Sequence, residues 1–545
     1  MKRGSLPAVV LACLVLVQGC APPRSSASAP PPAVSPTPPA LRASENPPDV
    51  PARMPFRPTP MQPESKFPPP QQSEEDEKRT SNRPGEPELL HAEPAVLLDG
   101  EPFPAKETYD PKFPEARRTR YVSADTTPGG DGSVEHPWRD LQEAFCRLEP
   151  GDRLVIAAGV YSGAFRIGDA CRDGTADAPI QVFARHAFLK ASGEGDVLTV
   201  ERAHWQFWEV QIALLDSNAA GFVTAGAGAH DIAIDQSHIY EGRGPAVRLA
   251  AGSSGIVLSN CHIHQSTGVR IESGASNVTL VNNHIHHNRS ASVTIGGGPA
   301  GGGPARDITL AGNRIHNDRG PALDLSNCER VTVSRNRLSN YRPDEEDRSG
   351  GEAIRVRSGC RDVIFDSGSV LEATTAIRVG DSQESGRSPE HVVIRRSYFK
   401  NQLTHESRAL VIDSGRDVLF VNNVVEGYAE PVRTASAAVS GISIANNLIL
   451  KPAVALTLGS PGAVSLFDYN VFGADSSLRA NVGGTPLDAV PWMRIHMPHS
   501  KVLPGLGLSG GDLAKVIGFS PVDAGTRVEG VDFRGAAPDI GVAER

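Results

Sequence analysis

One position in a repeating pattern carries arginine in several repeats of this chain. Successive repeats place there Arg248, Arg270, Thr294, Asp324, Arg355, Arg378 and Val411. If the repeats stack about 4.8 Å apart, these side chains form one exposed column. Like charges at that spacing repel each other unless an anion lies among them, and a guanidinium binds a carboxylate through two parallel hydrogen bonds. The column therefore indicates either a surface for a polymer of acidic sugars or arginines that pair with nearby acids, namely Glu272, Asp324 and Glu352.

Histidines form a second pattern, on both sides of a single apolar residue in each repeat. One side holds His238, His262, His284, Arg314 and Arg337, and the other holds Tyr240, His264, His286, His316, Ser339, Glu372 and Lys400. Imidazole groups act as acids or bases near neutral pH, bind metals, or stack against other rings and sugars. A metal needs three or four converging ligands, and regular columns rarely converge. The pattern favours a stack or a catalytic role; metal binding by the columns stays the weaker alternative, and we assign no metal ligands.

Two kinds of sugar chemistry would use these residues. Eliminative cleavage of an acidic polysaccharide needs a cation at the substrate carboxylate and a base for a ring proton, whereas hydrolysis needs two carboxylates, for which Asp324 with Glu352 or Glu372 is the pair available. The candidates for catalysis are Arg355, Arg378, His286, His316, Lys400 and Asp324. The candidates for substrate binding are Arg248, Arg270, Thr294, Arg314, Arg337 and His264.

Longer segments interrupt the repeats at three places, 296–304, 341–351 and 381–389. Insertions on one flank of a repeat protein often frame its binding face, although loops also drift neutrally. The segments would surround Thr294 and Arg378 together with the repeats between them. We therefore place the candidate cleft in the middle repeats.

The repeat itself predicts the elements that carry these columns. From Ile232 to Phe472 the chain repeats an apolar-x-apolar pair, a turn residue, a single apolar residue and a second apolar-x-apolar pair, with a period of about 22 to 32 residues. The alternation buries one face of each short strand, and no segment here has the 3.6-residue period of a helix. The pattern predicts a parallel β-solenoid of about ten or more coils.

Asparagine recurs just before the single apolar residue of the repeat. Asparagine tolerates the left-handed backbone of a sharp bend and can hydrogen-bond to its equivalent in the next coil. We interpret these residues as structural ladders rather than catalytic groups: Asn282, Asn283, Asn313, Asn336, Asn422, Asn423, Asn446, Asn447 and Asn470.

Several motifs resemble right-handed parallel β-helix proteins of the pectin-lyase-like superfamily. The runs 281–288 and 310–317 look like the repeat of that superfamily, and Tyr121–Ser123 with the Gly-rich turn 129–133 and a short helix over 139–148 resembles its N-terminal cap. The segments 150–161 and 538–544 are similar to its first strand and its closing motif. The resemblance implies an all-β, right-handed, single-stranded parallel β-helix, with an N-terminal cap that carries a short helix.

The same resemblance leaves the activity open. The superfamily holds lyases, hydrolases, epimerases and non-enzymes, and fold does not imply function. The Gly-His-Gly and Arg-Ile-Lys patterns of polygalacturonases and the Asp-Pro-His-Asp of alginate epimerases do not occur in this sequence. Two functions follow: a surface enzyme, of lyase type or related, that acts on acidic polysaccharide, or a non-catalytic β-helix that binds or organises glycans.

The N-terminus indicates export. Lys2 and Arg3 precede a short apolar run that ends at Cys20, which looks like a bacterial lipoprotein signal with Cys20 as the lipidated residue. Residues 21–116 contain 25 of the 45 prolines and almost no aromatic residues, so we predict a disordered tether. The predicted organisation is signal peptide 1–19, tether 20–116, cap and first coils 117–230, regular coils 231–475 and C-terminal cap 476–545. We expect a protein anchored to the bacterial cell envelope, at the outer membrane if the host is Gram-negative.

Charge and cysteine content narrow the partners. A net charge of −9 argues against nucleic acid, and membrane contact is expected only through Cys20. We expect a monomer that binds an acidic polysaccharide or a cell-surface glycan; no cofactor is certain, and calcium stays open.

Outside the cytoplasm disulfides form readily. The candidates are Cys146 with Cys171 and Cys328 with Cys360, which leaves Cys261 as a buried thiol.

Overall fold

The computed structural model describes residues 113–542 except 194, 216, 299–302, 344–350, 382–385, 403–405, 435–437, 511, 530 and 534, together with 97–98 and 101–102. The predicted signal peptide, Cys20, most of the predicted tether and parts of all three insertions therefore lie outside the described residues. Within the predicted tether, Leu97–Leu98 pairs antiparallel with Glu101–Pro102. Among the described residues, no helix is long and apolar enough to cross a membrane.

Three sheets run the length of one right-handed solenoid, which confirms the predicted fold class. Each coil contributes one strand to each sheet in the order A, B, C. Sheet A consists of Arg118–Val122, Asp152–Ile156, Ile180–Phe183, Trp205–Trp208, His230–Asp235, Ser254–Ser259, Ser276–Val281, Ala305–Ala311, Cys328–Ser334, Arg361–Asp366, Glu390–Arg395, Gly415–Val421, Val439–Ser440, Ile442–Ala445 and Val464–Asp468.

Sheets B and C follow sheet A in each coil and are also parallel along most of their length. Sheet B consists of Gly159–Ser162, Ala187–Lys190, Gln211–Ala213, His238–Tyr240, His262–His264, His284–His286, Arg314–His316, Arg337–Tyr341, Ser369–Ala373, Tyr398–Lys400, Val424–Glu426, Leu448–Leu450, Val471–Gly473 and Lys501–Leu503. Sheet C consists of Phe165–Ile167, Leu198–Val200, Phe222–Thr224, Val247–Leu249, Val269–Ile271, Val293–Ile295, Leu323–Leu325, Glu352–Val356, Thr375–Val379, Arg408–Ile412, Glu430–Thr434, Val454–Leu458, Arg479–Val482 and the antiparallel Thr485–Asp488.

The core follows directly from the apolar repeat. In one coil Ile256 of sheet A, Ile263 of sheet B and Val269 of sheet C are each completely buried. They stack on Val278, Ile285 and Val293 of the next coil, so columns of similar side chains fill the interior. Burial of each such side chain stabilises the fold by about 1.5–3 kcal/mol relative to exposure. The stacking fixes the register, and the register in turn fixes which polar residues align outside.

The asparagines divide into two structural roles, as their repeat predicts. Asn282 and Asn422 adopt left-handed backbone conformations, with φ of 55° and 56°. Asn283 forms the ladder: its Nδ2 donates to Asn313 Oδ1 at 2.9 Å and to the carbonyl of Leu258 at 2.9 Å. Each rung satisfies buried backbone groups. The side chains of these asparagines therefore have a structural role in the turn and not a catalytic one.

Caps close both ends of the solenoid. The helix Leu141–Arg147, predicted over 139–148, begins at Asp140, whose carboxylate accepts from the Glu143 amide at 2.8 Å. Phe145 of that helix is completely buried. A second helix, Ala489–His496, a 3-10 turn at Pro461–Ala463 and a hairpin of Gly507–Ser509 with Asp512–Ile517 follow near the C-terminus.

Two cysteine pairs behave differently. Cys146 and Cys171 are joined by a disulfide, as the sequence predicts, and Cys261 is a buried thiol. The disulfide predicted between Cys328 and Cys360 is absent: both are buried thiols with Sγ atoms 2.7 Å apart. Their Sγ atoms are farther apart than the about 2.0 Å of an S–S bond, and both side chains lie in the apolar core as thiols.

Candidate functional site

Sheet C carries the charged column that the sequence predicts. Arg248 pairs in register with Arg270, Thr294 with Asp324, and Arg355 with Arg378. The remaining steps of the column are Arg270 to Thr294, Asp324 to Arg355 and Arg378 to Val411. The predicted alignment is therefore confirmed. The same position continues towards the N-terminus through Val223, Thr199 and Arg166.

In the C-terminal half of this column the charged side chains form ion pairs with neighbouring residues. Asp324 accepts two hydrogen bonds from Arg357, at 2.6 and 3.1 Å. Glu352 binds both Arg355 and Arg378, the latter through Nε at 2.6 Å, and Arg378 also binds Asp413. Three guanidinium groups thus face three carboxylates, and the pKa of Arg378 is raised because its acidic neighbours outweigh the opposing effect of burial. The structure favours the local pairing of these arginines that the sequence left as an alternative.

The N-terminal half of the column is less tightly paired. Arg248 Nη2 lies 2.6 Å from Asp196 Oδ2, whereas Arg270 Nε lies 3.8 Å from Glu272 Oε1. The Arg270 side chain is 45% exposed. Of the four arginines in the predicted column, Arg270 therefore has the longest of the acid contacts named here and faces solvent, and it lies one strand from Arg248.

Three acid or base partners were missed in the sequence, although strand alternation could have found two of them. Arg357 lies two residues after Arg355 and Asp413 lies two residues after Val411, so each shares the outward face of its neighbour. Glu272, which was named, has the same relation to Arg270. Asp196, in contrast, precedes its strand and belongs to a turn, so no periodic signal marks it.

Sheet B carries two columns of imidazoles that stack along the solenoid. Ring centroids of His238 and His262 are 4.7 Å apart and those of His262 and His284 are 5.0 Å apart, with nearly parallel planes. In the second column His264 stacks on His286 at 5.2 Å, and His286 stacks on His316 at 5.0 Å. The register agrees with the sequence through these coils.

The two imidazole columns are joined by diagonal hydrogen bonds, which the sequence did not predict. His238 Nε2 lies 2.8 Å from His264 Nε2, and His284 Nε2 lies 2.8 Å from His316 Nε2. The intermediate rung, His262 with His286, has a distance of 2.7 Å. In each of these pairs the rings turn their Nε2 atoms towards each other across the two columns. We call this arrangement, His238, His262, His264, His284, His286 and His316, the histidine zipper.

Burial makes the zipper a poor source of acid or base catalysis. His286 and His316 are only 5% and 2% exposed. Burial, with the neighbouring imidazoles, lowers the pKa of His238, His284 and His286 well below the ordinary value. A base with a strongly lowered pKa has little driving force to take a proton. The zipper therefore does not supply the base that cleavage would need.

The other residues predicted on sheet B lie in or near its columns. Arg314 and Arg337 continue the column of His284. Lys400 continues the column of His316 through Ser339, but the position before Lys400 is Leu371 and not Glu372. Glu372 was misplaced by one residue because Val370 and Leu371 are both apolar, and the sequence does not mark which of them faces inward; Val370 pairs with Leu338, which leaves Leu371 in the column. Glu372 binds Arg342 instead, so it does not pair with Asp324.

The predicted catalytic residues are divided between two sheets. Arg355, Arg378 and Asp324 stand on sheet C. The proposed bases, His286, His316 and Lys400, stand on sheet B. Elimination requires the cation and the base to act on one sugar ring, and these groups face outward from different sheets. The structure does not assemble the predicted catalytic set on one surface.

A family model matches part of the chain and agrees with the fold. The family model described as the right handed beta helix region matches residues 215–302. No curated protein sequence matches the chain. Among solved structures, the chain is similar to the pectate lyase Pel9A, with 17% identity over 79% of this chain and 97% of that one and a TM-score of 0.42. It is also similar to the surface protein and adhesin PfbA of Streptococcus pneumoniae, with 9% identity over 67% of this chain and 95% of that one and a TM-score of 0.38.

A third similar structure is the PL6 family alginate lyase AlyGC, with 15% identity and a TM-score of 0.42. The alignment covers 69% of this chain and 53% of the lyase. Together with the three continuous sheets, the family match defines the class of protein as a right-handed parallel β-helix.

Proposed function

We propose that this chain is an exported β-helix protein that binds acidic polysaccharide along sheet C, around Arg248, Arg270 and Thr294. The observation that carries the proposal is the half-exposed guanidinium of Arg270, whose contact with Glu272 is 3.8 Å long, beside a second arginine one strand away. A sugar carboxylate can offer Arg270 a closer, bidentate partner than Glu272 does.

The direction of the column suits a linear polymer. Strands of sheet C stack along the solenoid axis, so Arg248, Arg270 and Thr294 lie in one line across three coils. The rungs are about 4.8 Å apart. An extended acidic chain laid along this line would meet the guanidinium of Arg270, with Arg248, which is paired with Asp196, on one side. On the other side it would meet the hydroxyl of Thr294, which can hydrogen-bond to a sugar.

Binding without cleavage is the function that the geometry supports better than a lyase or a hydrolase. Arg355 and Arg378 are engaged by Glu352, and Asp324 is engaged by Arg357. Hydrolysis needs one carboxylic acid and one carboxylate that are available to substrate. Both carboxylates of the predicted pair are instead held by arginines.

Export and lipid anchoring are part of the same proposal. The apolar run that ends at Cys20 supports them, together with the proline-rich segment that would separate the β-helix from the membrane. Expression of the Cys20→Ser variant tests the anchor. We expect the wild-type chain in the membrane fraction and the variant outside it; equal distribution of both between the fractions contradicts the lipid anchor.

The binding proposal is tested with the full-length protein in detergent, by titration with polygalacturonate, alginate and neutral dextran. We expect binding to the acidic polymers only, weakened by salt because the contacts are between exposed charges. The Arg270→Gln variant should bind at least several-fold more weakly. Arg330→Gln is the matched control, since Arg330 is also half-exposed and paired with an acid but lies on sheet A.

Two results would contradict the proposal. Equal loss of binding in Arg270→Gln and Arg330→Gln would show that charge anywhere on the solenoid suffices. Appearance of new unsaturated or reducing sugar ends would show that the protein is an enzyme.

A further inference from the structure

The histidine zipper brings ring nitrogens together in two groups of three. His238, His262 and His264 form one group, and His262, His284 and His286 form the other. Within each group the ligand nitrogens lie within 4.8 Å of one another. Because His262 belongs to both, the groups overlap and do not form two independent sites.

The short contacts between the columns prepare these nitrogens for a cation. In a hydrogen bond between two neutral imidazoles, one nitrogen donates its proton and the other offers a lone pair. His238 with His264, and His262 with His286, are held in this way at 2.8 and 2.7 Å. A metal ion can take the place of the shared proton when the donating ring carries that proton on Nδ1 instead, so that Nε2 of both rings offers a lone pair. The ion would therefore bind where the structure already directs two nitrogens at one point.

We propose that the histidine zipper binds one divalent transition-metal ion of the zinc or copper type, held by His262 with its neighbours in either group. Imidazole nitrogen is a preferred ligand of these ions, whereas calcium and magnesium require oxygen ligands. At a metal–nitrogen distance of about 2.0–2.1 Å, tetrahedral ligands are about 3.3 Å apart, so each hydrogen-bonded pair must open by about half an ångström.

The strands give the ligands fixed positions and a route for the ion. His238 pairs in register with His262, and His262 with His284, so three ligands stand on adjacent strands of a rigid sheet. These three side chains are partly exposed, while His264 and His286 behind them are buried. An ion can therefore enter from solvent and meet the buried ligands second. This proposal does not depend on glycan binding, which we assign to sheet C.

The experiment uses full-length protein purified without a histidine tag and freed of metal with a chelator. A separate cluster, His204, His230 and Asp231, also has converging ligand atoms. The reference protein therefore carries His230→Gln, which disables that cluster. Cobalt(II) is the probe, because its visible absorption reports nitrogen coordination, and mass spectrometry counts zinc in parallel.

We expect the reference protein to bind about one equivalent of cobalt or zinc with tetrahedral-type absorption. Adding His262→Gln should weaken binding at least tenfold, since it removes a ligand from both groups. His391→Gln is the matched control, because His391 is an exposed histidine that pairs with Asp362 on sheet A. It should leave binding unchanged.

Three outcomes would overturn the proposal: no metal uptake by the reference protein, unchanged uptake in His262→Gln, or equal losses in His262→Gln and His391→Gln. Folding is checked by circular dichroism. If His262→Gln does not fold, His264→Gln and His286→Gln are measured instead, because each alters the ligand set of only one group. An unchanged cobalt spectrum and an unchanged affinity in both variants would then exclude the zipper as the metal site.

Discussion

Sheets B and C display outward side chains at the same spacing, yet they accommodate crowded polar groups in different ways. On sheet C, arginines one strand apart are neutralised by acids, as Glu352 is shared between Arg355 and Arg378. On sheet B, neutral imidazoles stack and hydrogen-bond across two columns, as His262 does with His286. A column of identical residues is thus stable only when acidic partners neutralise its charges or when its members are uncharged.

The difference changes how such columns are interpreted. A row of arginines indicates an anion-binding surface only where no nearby carboxylate is a well-placed partner. Arg355 forms an ion pair with Glu352, which lies three positions before it on the same strand. Arg270 has Glu272, but at 3.8 Å. Close carboxylates therefore argue against a binding role for Arg355 and Arg378, and the longer acid contact of Arg270 supports a binding role there.

The largest expected effect is a loss of stability in acid, caused by the zipper. Because the pKa values of His238, His284 and His286 are lowered in the fold, the unfolded chain binds protons that the folded chain does not once the pH falls below about 6.5. Stability is complete above that pH and falls below it, by at most about 1.4 kcal/mol per pH unit for each histidine. Urea unfolding of the metal-free protein at pH 7.5 and pH 5 measures the loss.

Asp318 opposes this trend, because burial raises its pKa to about 7. The folded chain then holds a proton that the unfolded chain releases above about pH 4, so this carboxyl contributes stability at low pH that is lost as the pH rises to 7. The effect of three histidines on stability is larger than that of one carboxyl, so we expect a net loss of stability on acidification. A variant with glutamine at positions 238, 284 and 286 should reverse the slope. If its stability falls in acid as much as that of the wild type, the zipper is not the cause.

The next largest effect is expected on sheet C, from Glu352→Gln. This change leaves Arg355 and Arg378 one strand apart without their shared carboxylate, and we expect a cost of about 2 kcal/mol in the free energy of unfolding. Denaturant unfolding measures it. Glu329→Gln is the matched control: Glu329 lies 3.5 Å from the half-exposed Arg330 on sheet A and should cost less than about 0.5 kcal/mol. Equal costs would show that the ion pairs of sheet C stabilise the fold no more than the exposed pair on sheet A.

The solenoid was predictable because its signal is repeated in every coil. The apolar pairs fixed which residues face inward, and stacking of Ile256 on Val278 then aligned Arg248 with Arg270. Alignment failed at Glu372, because Val370 and Leu371 are both apolar and the structure places Val370, not Leu371, beside Leu338. Two adjacent apolar residues leave the inward one undefined in an apolar pattern.

Side-chain partners were harder to predict than positions. The diagonal contact of His238 with His264 depends on the rotation of two rings, and the contact of Arg248 with Asp196 joins a strand to a turn 52 residues away. Neither follows from spacing along the chain. The sequence therefore defined the columns but not whether their members were paired, and pairing decides what the surface can bind.

A smaller effect is expected at the turn that joins sheets B and C in one coil. The Tyr341 hydroxyl donates to Asp318 Oδ2 at 2.8 Å; Tyr341 is buried and Asp318 is partly buried. Tyr341→Phe should cost about 1 kcal/mol, since it removes one hydrogen bond and leaves the carboxyl less well satisfied. It should also raise the pKa of Asp318 further. Unfolding at pH 6 and pH 8 tests both effects, and the variant should be affected more at pH 8. A pH-independent cost would show that the hydroxyl does not stabilise the carboxylate.

The smallest effect on stability is expected for Arg270→Gln. An exposed guanidinium with one acid contact at 3.8 Å contributes little, so the free energy of unfolding should change by less than about 0.5 kcal/mol. Arg378→Gln occupies the equivalent position in a later coil, but it removes ion pairs to both Glu352 and Asp413 and should cost more than Arg270→Gln. If the two substitutions destabilise the protein equally, Arg270 is a structural residue. Its place at the centre of the proposed glycan surface would then lose its physical basis, because a residue that the fold needs for pairing is not available to a ligand.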